Sequence, residues 1–168
     1  MNSRQHTERR VVLVAARSGG YTAVELDADD AEAHRFDLSA SEMPAWVAAQ
    51  ERENSPRWVI RSAREIYPVL LDAGVMLARS HDLLLCHAIL RDTDKVPRPL
   101  APSSSWVRRE PVDEAPALFD VDAHDAPDDP VGDALDQYRE QRRVLRDSKD
   151  GRLTLLTSAE SAGGLIAE

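Results

Sequence analysis

The sequence of residues 57–90, RWVIRSAREIYPVLLDAGVMLARSHDLLLCHAIL, decides the fold. It alternates short runs of β-forming residues with longer apolar segments that carry helix start signals. We predict a strand at 58–60, a helix after Ser62, a short strand at 75–77, and a helix from His81 to about Arg91 that follows Ser80. Strands that alternate with helices indicate an α/β fold.

The helix after Ser62 shows both of its ends in the sequence. Ser62 and Glu65 have the spacing of a capping box, and Gly74 stands where glycine commonly follows a helix. Pro68 lacks the N–H group that a helix interior requires. The helix therefore either bends at Pro68 or becomes regular only near Tyr67, with Pro68 in its first turn.

The last helix of this stretch carries residues that could do chemistry: His81, Asp82, Cys86 and His87. A first-turn carboxylate also satisfies the unpaired N–H groups of a helix and its dipole. We interpret His81 and Asp82 as residues that cap the helix and pack in the core. The alternative is that they remain from a functional site. Neighbouring helix residues point in different directions, and a metal site or a catalytic Cys-His pair needs further partners. We therefore expect Cys86 to act as a small buried hydrophobic residue. No catalytic, cofactor-binding or metal-binding residue is assigned.

Residues 9–28, RRVVLVAARSGGYTAVELDA, predict a β-hairpin whose turn contains Gly19 and Gly20. A polar connection at 27–42 follows. Ser39 and Glu42 then form a capping-box pattern ahead of an amphipathic helix at about 43–52. The order of elements up to residue 91 is ββαβαβα.

Composition limits the function classes. The chain has 168 residues, 42% of them hydrophobic, which suits one core. Ten of its 30 acidic residues lie at 110–137, where there is no Lys or Arg, and such a stretch repels phosphate. A single cysteine excludes an intrachain disulfide, and no apolar stretch approaches the length of a membrane span. We expect a cytoplasmic protein without a membrane partner.

Three regions follow from these patterns. Residues 1–91 are the predicted α/β core. Residues 92–130 hold seven of the ten prolines and read as an acidic linker, with Trp106 and residues 118–119 as anchor points. Residues 131–168 carry two predicted helices, at about 133–146 and 152–167, the first with Leu135, Tyr138 and Leu145 on one stripe.

The ordered succession of these elements resembles the 3′-5′ exonuclease-like domain of family A DNA polymerases, the DNA polymerase I family. The resemblance covers roughly residues 11–168. The stretch 57–90 is similar to that family's strand, helix, glycine, strand and helix succession. In the family, a segment with Leu and Trp follows that succession, and LAPSSSWV at 100–107 is similar to it. The stretch GRLTLLTSAESAGGLIAE at 151–168 is similar to the helix that leads into the family's polymerase domain.

The resemblance implies an RNase H-like exonuclease fold, a mixed sheet of about four to five strands flanked by helices. Active members hold two divalent metals with carboxylates from separate elements. The hairpin resembles the family's second and third strands, and VVLVAARSGG contains no acid to match the Asp-x-Glu of the family's opening strand, so that opening strand is expected to be missing. Ser62 and Ile66 stand where the family has Asn and Asp, and Tyr138 and Arg142 where it has Tyr and Asp.

These departures imply a non-catalytic structural domain of a DNA polymerase that acts in replication or repair. Its expected partners are the polymerase module of the same protein and, through that module, DNA. We expect no cofactor for this chain, with magnesium only in a polymerase module. One alternative is a free-standing protein-interaction domain on the same scaffold. Another is a nuclease whose metal site is rebuilt from the acids of ELDADD at 25–30, including Asp27, Asp29 and Asp30.

Overall fold

The computed structural model describes residues 8–94, 96–101, 103, 106, 128–148 and 151–166. These residues form five strands and five helices. The strands are β1 Arg10–Ala15, β2 Tyr21–Leu26, β3 Glu32–Leu38, β4 Arg57–Ile60 and β5 Ser80–Asp82. The helices are α1 Met43–Asn54, α2 Ala63–Asp72, α3 Leu83–Arg91, α4 Pro130–Asp147 and α5 Gly151–Ile166.

The five strands form one mixed sheet in the order β3-β2-β1-β4-β5. β1 pairs antiparallel with β2, and β2 pairs antiparallel with β3. β4 runs parallel to β1, and β5 runs parallel to β4. The predicted α/β fold with a mixed sheet is confirmed. β1 lies in the middle of the sheet and is hydrogen-bonded to β2 on one side and to β4 on the other. The sheet therefore has no unfilled position that corresponds to the opening strand we expected to be missing.

The hairpin is present, and its turn depends on glycine. Gly19 and Gly20 have φ angles of 78° and 143°, which residues with a side chain rarely adopt. A Cβ atom on Gly20 would also lie 2.7 Å from the carbonyl oxygen of Leu38 on β3. The connection predicted at 27–42 was wrong in part, because it contains β3. β3 is an edge strand, mostly exposed to solvent, and it therefore lacks the alternating apolar pattern of a half-buried strand.

Within residues 57–90 two boundaries differ from the prediction. Residues 75–77 form no strand, although Val75 and Leu77 are buried. The fifth strand is instead Ser80–Asp82, and α3 begins two residues later than predicted. These strand residues are polar although they are buried, so hydropathy does not indicate a strand there. α2 is helical from Ala63 and runs through the exposed Pro68, so the alternative of a regular start near Tyr67 was wrong.

Helices cover both faces of the sheet. On one face, α1 and α2 pack against alternate strand residues in a core that contains Val11, Leu13, Trp58, Ile60, Met43, Val47, Ile66 and Leu70. On the other face, α3 and α4 pack against the remaining strand residues, in a core that contains Val12, Val14, Val24, Val59, Leu83, Leu135 and Tyr138. The alternation of inward and outward residues along β1 thus places apolar side chains in both layers.

The two C-terminal helices belong to the same folded body as the sheet. α4 contacts β1 and α3, and α5 contacts β5, α2 and α3. Trp106 is buried at 4% exposure in the core under α4. The second anchor point that we predicted, residues 118–119, lies outside the described residues. Within the described part of the chain, no helix is both long and apolar enough to cross a membrane.

Candidate functional site

Asp82 is the centre of a buried polar site at the edge of the sheet. It lies at the end of β5 and is 1% exposed. Its Oδ1 accepts a hydrogen bond from the backbone N–H of Leu85, 3.0 Å away, which makes Asp82 the N-cap of α3. Its Oδ2 accepts one from the backbone N–H of Ala63 at the start of α2, 2.8 Å away. One carboxylate therefore serves two helix N-termini.

His81 points into the layer between β5 and α4. The Oε1 atom of Gln141 lies 2.7 Å from its Nε2, while the Nε2 of Gln141 donates to the carbonyl oxygen of Leu83 at 2.8 Å. Since the amide uses its N–H group on Leu83, its oxygen must accept, and Nε2 of His81 carries the proton. Burial lowers the pKa of His81 to about 4, and the hydrogen bond to Gln141 opposes this only in part. The imidazole is neutral at neutral pH.

Cys86 lies beside this histidine, but the pair is not activated. The Sγ atom is 3.9 Å from Nδ1 of His81 and 3.6 Å from the hydroxyl oxygen of Ser161. Burial raises the pKa of the Cys86 thiol to about 12. A nucleophilic cysteine requires the thiolate, which an electropositive neighbour such as an imidazolium would favour. A neutral thiol beside a neutral imidazole has neither feature, so this geometry supports packing rather than covalent catalysis.

Ser161 joins α5 to the outer edge of the sheet. Its hydroxyl accepts a hydrogen bond from the backbone N–H of Asp82 at 3.1 Å, and its carbonyl oxygen accepts one from the Ser80 hydroxyl at 3.1 Å. α5 thereby covers β5, an edge strand that would otherwise present unpaired backbone groups. Sequence reasoning missed this role. The available signal was the spacing of Leu153, Thr157 and Ser161, which recur every fourth residue and are all buried.

The positions that the resemblance matches to metal ligands have other roles. Ile66 is 0% exposed and belongs to the core under α2. Ser62 occupies the N-cap position of α2 but makes no side-chain capping bond. Tyr138 is buried on α4, and burial raises its pKa. Arg142, one turn further along α4, forms an ion pair with Asp30, its Nη1 lying 2.6 Å and 2.5 Å from the two carboxylate oxygens.

Asp30 gathers arginines from two elements. It lies in the turn between β2 and β3 with a φ angle of 63°, and its side chain is 8% exposed. Arg10 of β1 also pairs with its carboxylate, and Arg139 of α4 donates from Nε and Nη2 to its carbonyl oxygen at 3.1 Å and 3.0 Å. Burial raises the pKa of Asp30, and the guanidiniums, Arg10 foremost, oppose that rise. These ion pairs and hydrogen bonds connect the turn between β2 and β3 to α4.

Two other acids of ELDADD, Asp27 and Glu25, are also engaged. Oδ1 of Asp27 accepts hydrogen bonds from the backbone N–H groups of Asp29 and Ala31, each at 2.9 Å, which organises the turn. Glu25 pairs with Arg9 at 3.2 Å. In the described residues no group of three or more His, Cys, Asp or Glu side chains could hold a metal ion.

A second charged cluster lies where β4 ends. Nε of Arg61 is 3.5 Å from Glu65, and its Nη1 is 3.6 Å from Asp133 of α4. The Arg61 guanidinium also lies over the ring of Trp106, 4.6 Å from its centroid. Burial raises the pKa of both Glu65 and Asp133, and Arg61 opposes the rise at each. The carboxyl ends of strands are the usual ligand-binding edge of an open α/β sheet, and here that edge holds an arginine and a packed tryptophan.

Comparison of the chain with models of known protein families, with curated proteins and with solved structures found no match.

Proposed function

We propose that this chain is a non-catalytic, exonuclease-like structural domain of a DNA polymerase. The sheet topology supports the proposal. The sheet has three consecutive antiparallel strands followed by two parallel strands that are reached through helices, with β1 in the middle, as we would expect of an RNase H-like sheet. On this proposal β1 is the opening strand itself, which corrects the match of the hairpin to the family's second and third strands. Its residues RVVLVA carry no acid.

The observation that carries the proposal is the chemistry at the positions matched to metal ligands. Ile66 is a core residue, and an alkyl side chain offers no ligand to a hard cation, which needs several oxygen ligands. Arg142 places a positive charge where the family has an aspartate, and it is held there by Asp30. A cation at that position opposes metal binding. A two-metal hydrolysis needs oxygens that these residues do not provide.

The polar site at β5 supports a structural role. Its side chains connect β5 and α3 to both C-terminal helices, through Gln141 on α4 and Ser161 on α5. By the resemblance of residues 151–168 to the family's connecting helix, we expect α5 to lead into a polymerase module. We propose that the domain fixes the direction in which this helix leaves the sheet, so that the module, and the DNA it binds, is held against a rigid support.

Incubation of the purified chain with labelled single-stranded DNA and magnesium or manganese tests the loss of nuclease activity. We expect no metal-dependent degradation. Degradation that persists through purification and disappears in an Asp27→Asn, Asp29→Asn variant would show an active nuclease. Both positions are exposed, so that variant should fold. Adding Asp30→Asn then tests the last acid of that stretch.

The assignment to a polymerase needs a separate test. A longer chain that continues beyond residue 168 should extend a primer on a DNA template when magnesium is present. A reading frame that stops near residue 168, or a continuation that extends no primer, would contradict the assignment. It would favour a free-standing interaction domain on the same scaffold.

A further inference from the structure

β3 has one long side that faces away from the rest of the sheet. It lies at the end of the order β3-β2-β1-β4-β5, so β2 is its only strand neighbour within the part of the chain that the structure describes. Every second residue of an edge strand directs its backbone N–H and C=O groups outwards, where they can pair with a further strand. Of the seven residues of β3, five are exposed and two are half-buried, which leaves this edge accessible to a partner.

The regular part of β3 is shorter than the strand. Residues 34–38 pair one for one with residues 21–25 of β2, and the register then skips Ala33. An extra residue of this kind bends a strand and interrupts regular pairing. A strand added to the free edge can therefore follow β3 over residues 34–38, whose central residue is Phe36.

The side chains of residues 34–38 are complementary to themselves. When two copies of one strand pair antiparallel in a continuous sheet, a two-fold axis perpendicular to the sheet passes beside one residue. Residues at equal distances before and after that residue then lie opposite each other. With the axis beside Phe36, Arg35 of each copy lies opposite Asp37 of the other. Opposite charges in such positions stabilise a pair of strands, and like charges destabilise it.

The neighbouring registers lack this complementarity. An axis beside Arg35 would set two arginines opposite each other, and an axis beside Asp37 would set two aspartates opposite each other. Charged residues on an edge strand commonly serve to prevent pairing with another chain. On β3 they oppose the neighbouring registers and favour the one that is centred on Phe36.

Both charged side chains can turn to a partner at little cost. Nε and Nη2 of Arg35 donate to the Glu32 carboxylate at 2.9 Å and 2.7 Å, and the two side chains are 45% and 37% exposed. Exposed ion pairs contribute little free energy, so Arg35 can exchange Glu32 for another carboxylate. Asp37 is exposed, and its Oδ1 accepts a hydrogen bond from the Thr22 hydroxyl at 3.0 Å. A carboxylate has two acceptor oxygens, so this bond leaves Asp37 able to accept from an arginine.

Phe36 offers an apolar contact on the opposite face of β3, because neighbouring strand residues point to opposite faces. Its ring centroid lies 5.2 Å from that of Trp46 on α1, and both side chains are half-buried. Beside the two-fold axis, Phe36 of one copy lies directly opposite Phe36 of the other. Aromatic cross-strand pairs stabilise paired strands. This pair covers ring surface that a single copy exposes to solvent.

We propose that β3 of one chain pairs antiparallel with β3 of a second copy, about a two-fold axis beside Phe36. The pairing joins the two five-stranded sheets into one continuous sheet. Main-chain hydrogen bonds hold the strands together, as in other complexes that add a strand to a sheet edge, and Arg35 and Asp37 fix the register. The paired segment is short, so the dimer is weak and its population depends on protein concentration.

Sedimentation velocity over about a hundredfold range of protein concentration tests the dimer. The dimer fraction of the unchanged protein should rise with concentration, and a monomer throughout would contradict the proposal. Arg35→Asp sets acid opposite acid at both charged pairs, and Asp37→Arg sets arginine opposite arginine. Each variant alone should therefore dimerise at least about tenfold more weakly than the unchanged protein.

An equimolar mixture of these two variants gives the sharpest measurement. In a mixed dimer an arginine again lies opposite an acid at both charged pairs, so the mixture should dimerise about as strongly as the unchanged protein. Mixing does not repair a fold that either substitution has damaged, so recovery reports direct pairing. A mixture that stays as weak as its two components would show that Arg35 and Asp37 do not lie opposite each other.

Arg98→Asp is the matched control, because it reverses an arginine at an exposed position in the segment after α3. It should dimerise as the unchanged protein does. Equal weakening by Arg98→Asp would show an effect of net charge alone. A dimer that neither β3 variant weakens would show a contact through another surface. Either result would refute the proposal.

Cysteine cross-linking tests the position of the axis. Residues directly opposite each other in antiparallel strands have Cα atoms about 4.5–5.5 Å apart, which is within the range of a disulfide. Phe36→Cys should therefore give a covalent dimer on mild oxidation. His34→Cys should not, because residue 34 of one copy lies opposite residue 38 of the other. Cys86 is 0% exposed and does not compete. Cross-linking of His34→Cys in preference to Phe36→Cys would refute the axis.

Discussion

Asp82 accepts a hydrogen bond from the backbone N–H of Ala63 at 2.8 Å, although the two residues are 19 positions apart in the chain. The same carboxylate caps α3 through Leu85. The first N–H groups of a helix have no partner within the helix, and the helix dipole favours a negative charge at that end. Asp82 therefore stabilises two helices and fixes the angle between them.

Replacing Asp82 should be costly for stability. Asp82→Ala removes the acceptor of a buried N–H group at Ala63 and of a partly buried one at Leu85, and each lost cap costs about 0.5–2 kcal/mol, so we expect the free energy of unfolding to fall by roughly 1–4 kcal/mol. Asp82→Asn keeps one oxygen and should lose about half as much. Urea denaturation followed by circular dichroism measures both.

Ser62→Ala is the matched control for this experiment. Ser62 holds the N-cap position of α2, but its side chain makes no capping bond. We therefore expect Ser62→Ala to change the free energy of unfolding by less than about 0.5 kcal/mol. A cost for Ser62→Ala that equals the cost of Asp82→Ala would show that the Ser62 side chain, and not Asp82 alone, caps α2.

His81 should make the protein sensitive to acid. Burial lowers its pKa from 6.5 to about 4, so between these values the unfolded chain binds a proton that the folded protein does not. The stability contributed by the neutral ring is complete above about pH 6.5 and is lost as the pH falls towards 4. The loss should reach about 3 kcal/mol.

The comparison with His81→Gln isolates this effect from the titration of the carboxylates. The free energy of unfolding of each protein is measured at about pH 7 and about pH 4. The unchanged protein should lose about 3 kcal/mol more than the variant between the two conditions. Equal losses would show that His81 does not titrate with a lowered pKa.

The sequence predicted those parts of the fold that local signals determine. The hairpin followed from Gly19 and Gly20, and the start of α1 from Ser39 and Glu42. In the structure, the Glu42 backbone N–H donates to Oγ of Ser39 at 3.2 Å, and Oε2 of Glu42 accepts from the backbone N–H of Ser39 at 3.0 Å. β3 and β5 were not predicted, because one is an exposed edge strand and the other is three buried polar residues.

The candidate site was predictable only in its local part. The role of Asp82 at the start of α3 follows from its position ahead of an apolar helix. Its bond to Ala63 depends on how the connection between α2 and β5 folds back, which no local pattern encodes. The pairing of Asp30 with Arg142 joins residues 112 positions apart. Charged pairs at such separations become visible only when the sheet and α4 are assembled.

The two arginines that pair with Asp30 should differ in their importance. The side chain of Arg10 is 7% exposed and that of Arg142 is 31% exposed. Breaking a buried ion pair leaves an uncompensated charge and costs about 3–5 kcal/mol, whereas an exposed pair contributes about 0–1 kcal/mol. We expect Arg10→Gln to cost about 3 kcal/mol and Arg142→Gln to cost about 1 kcal/mol.

Chemical denaturation of the two variants, together with Asp30→Asn, checks this order. Asn tolerates the positive φ angle of position 30, so Asp30→Asn tests the charge with little change in backbone strain. In an Arg10→Gln, Asp30→Asn double variant the cost should be smaller than the sum of the two single costs, because both remove the same pair. Strict additivity would show that Arg10 and Asp30 do not interact.

Cys86 should be unreactive as long as the protein is folded. Its thiol is 0% exposed, and its pKa of about 12 leaves very little thiolate at mildly alkaline pH. A free cysteine has a pKa of about 8.5, so the folded protein should react with a thiol reagent at least about a thousandfold more slowly than the unfolded chain. Labelling with a chromogenic disulfide, with and without guanidinium chloride, measures the two rates.

The dependence on His81 separates burial from activation. If burial alone controls the thiol, His81→Gln should label as slowly as the unchanged protein, provided that its free energy of unfolding is similar. If His81 activated Cys86, the folded protein would label rapidly near neutral pH, and His81→Gln would abolish that reaction. Rapid labelling lost in this variant would overturn the structural interpretation of the pair. It would then be a functional remnant, because a thiolate forms in a buried layer only when a neighbouring group stabilises its charge.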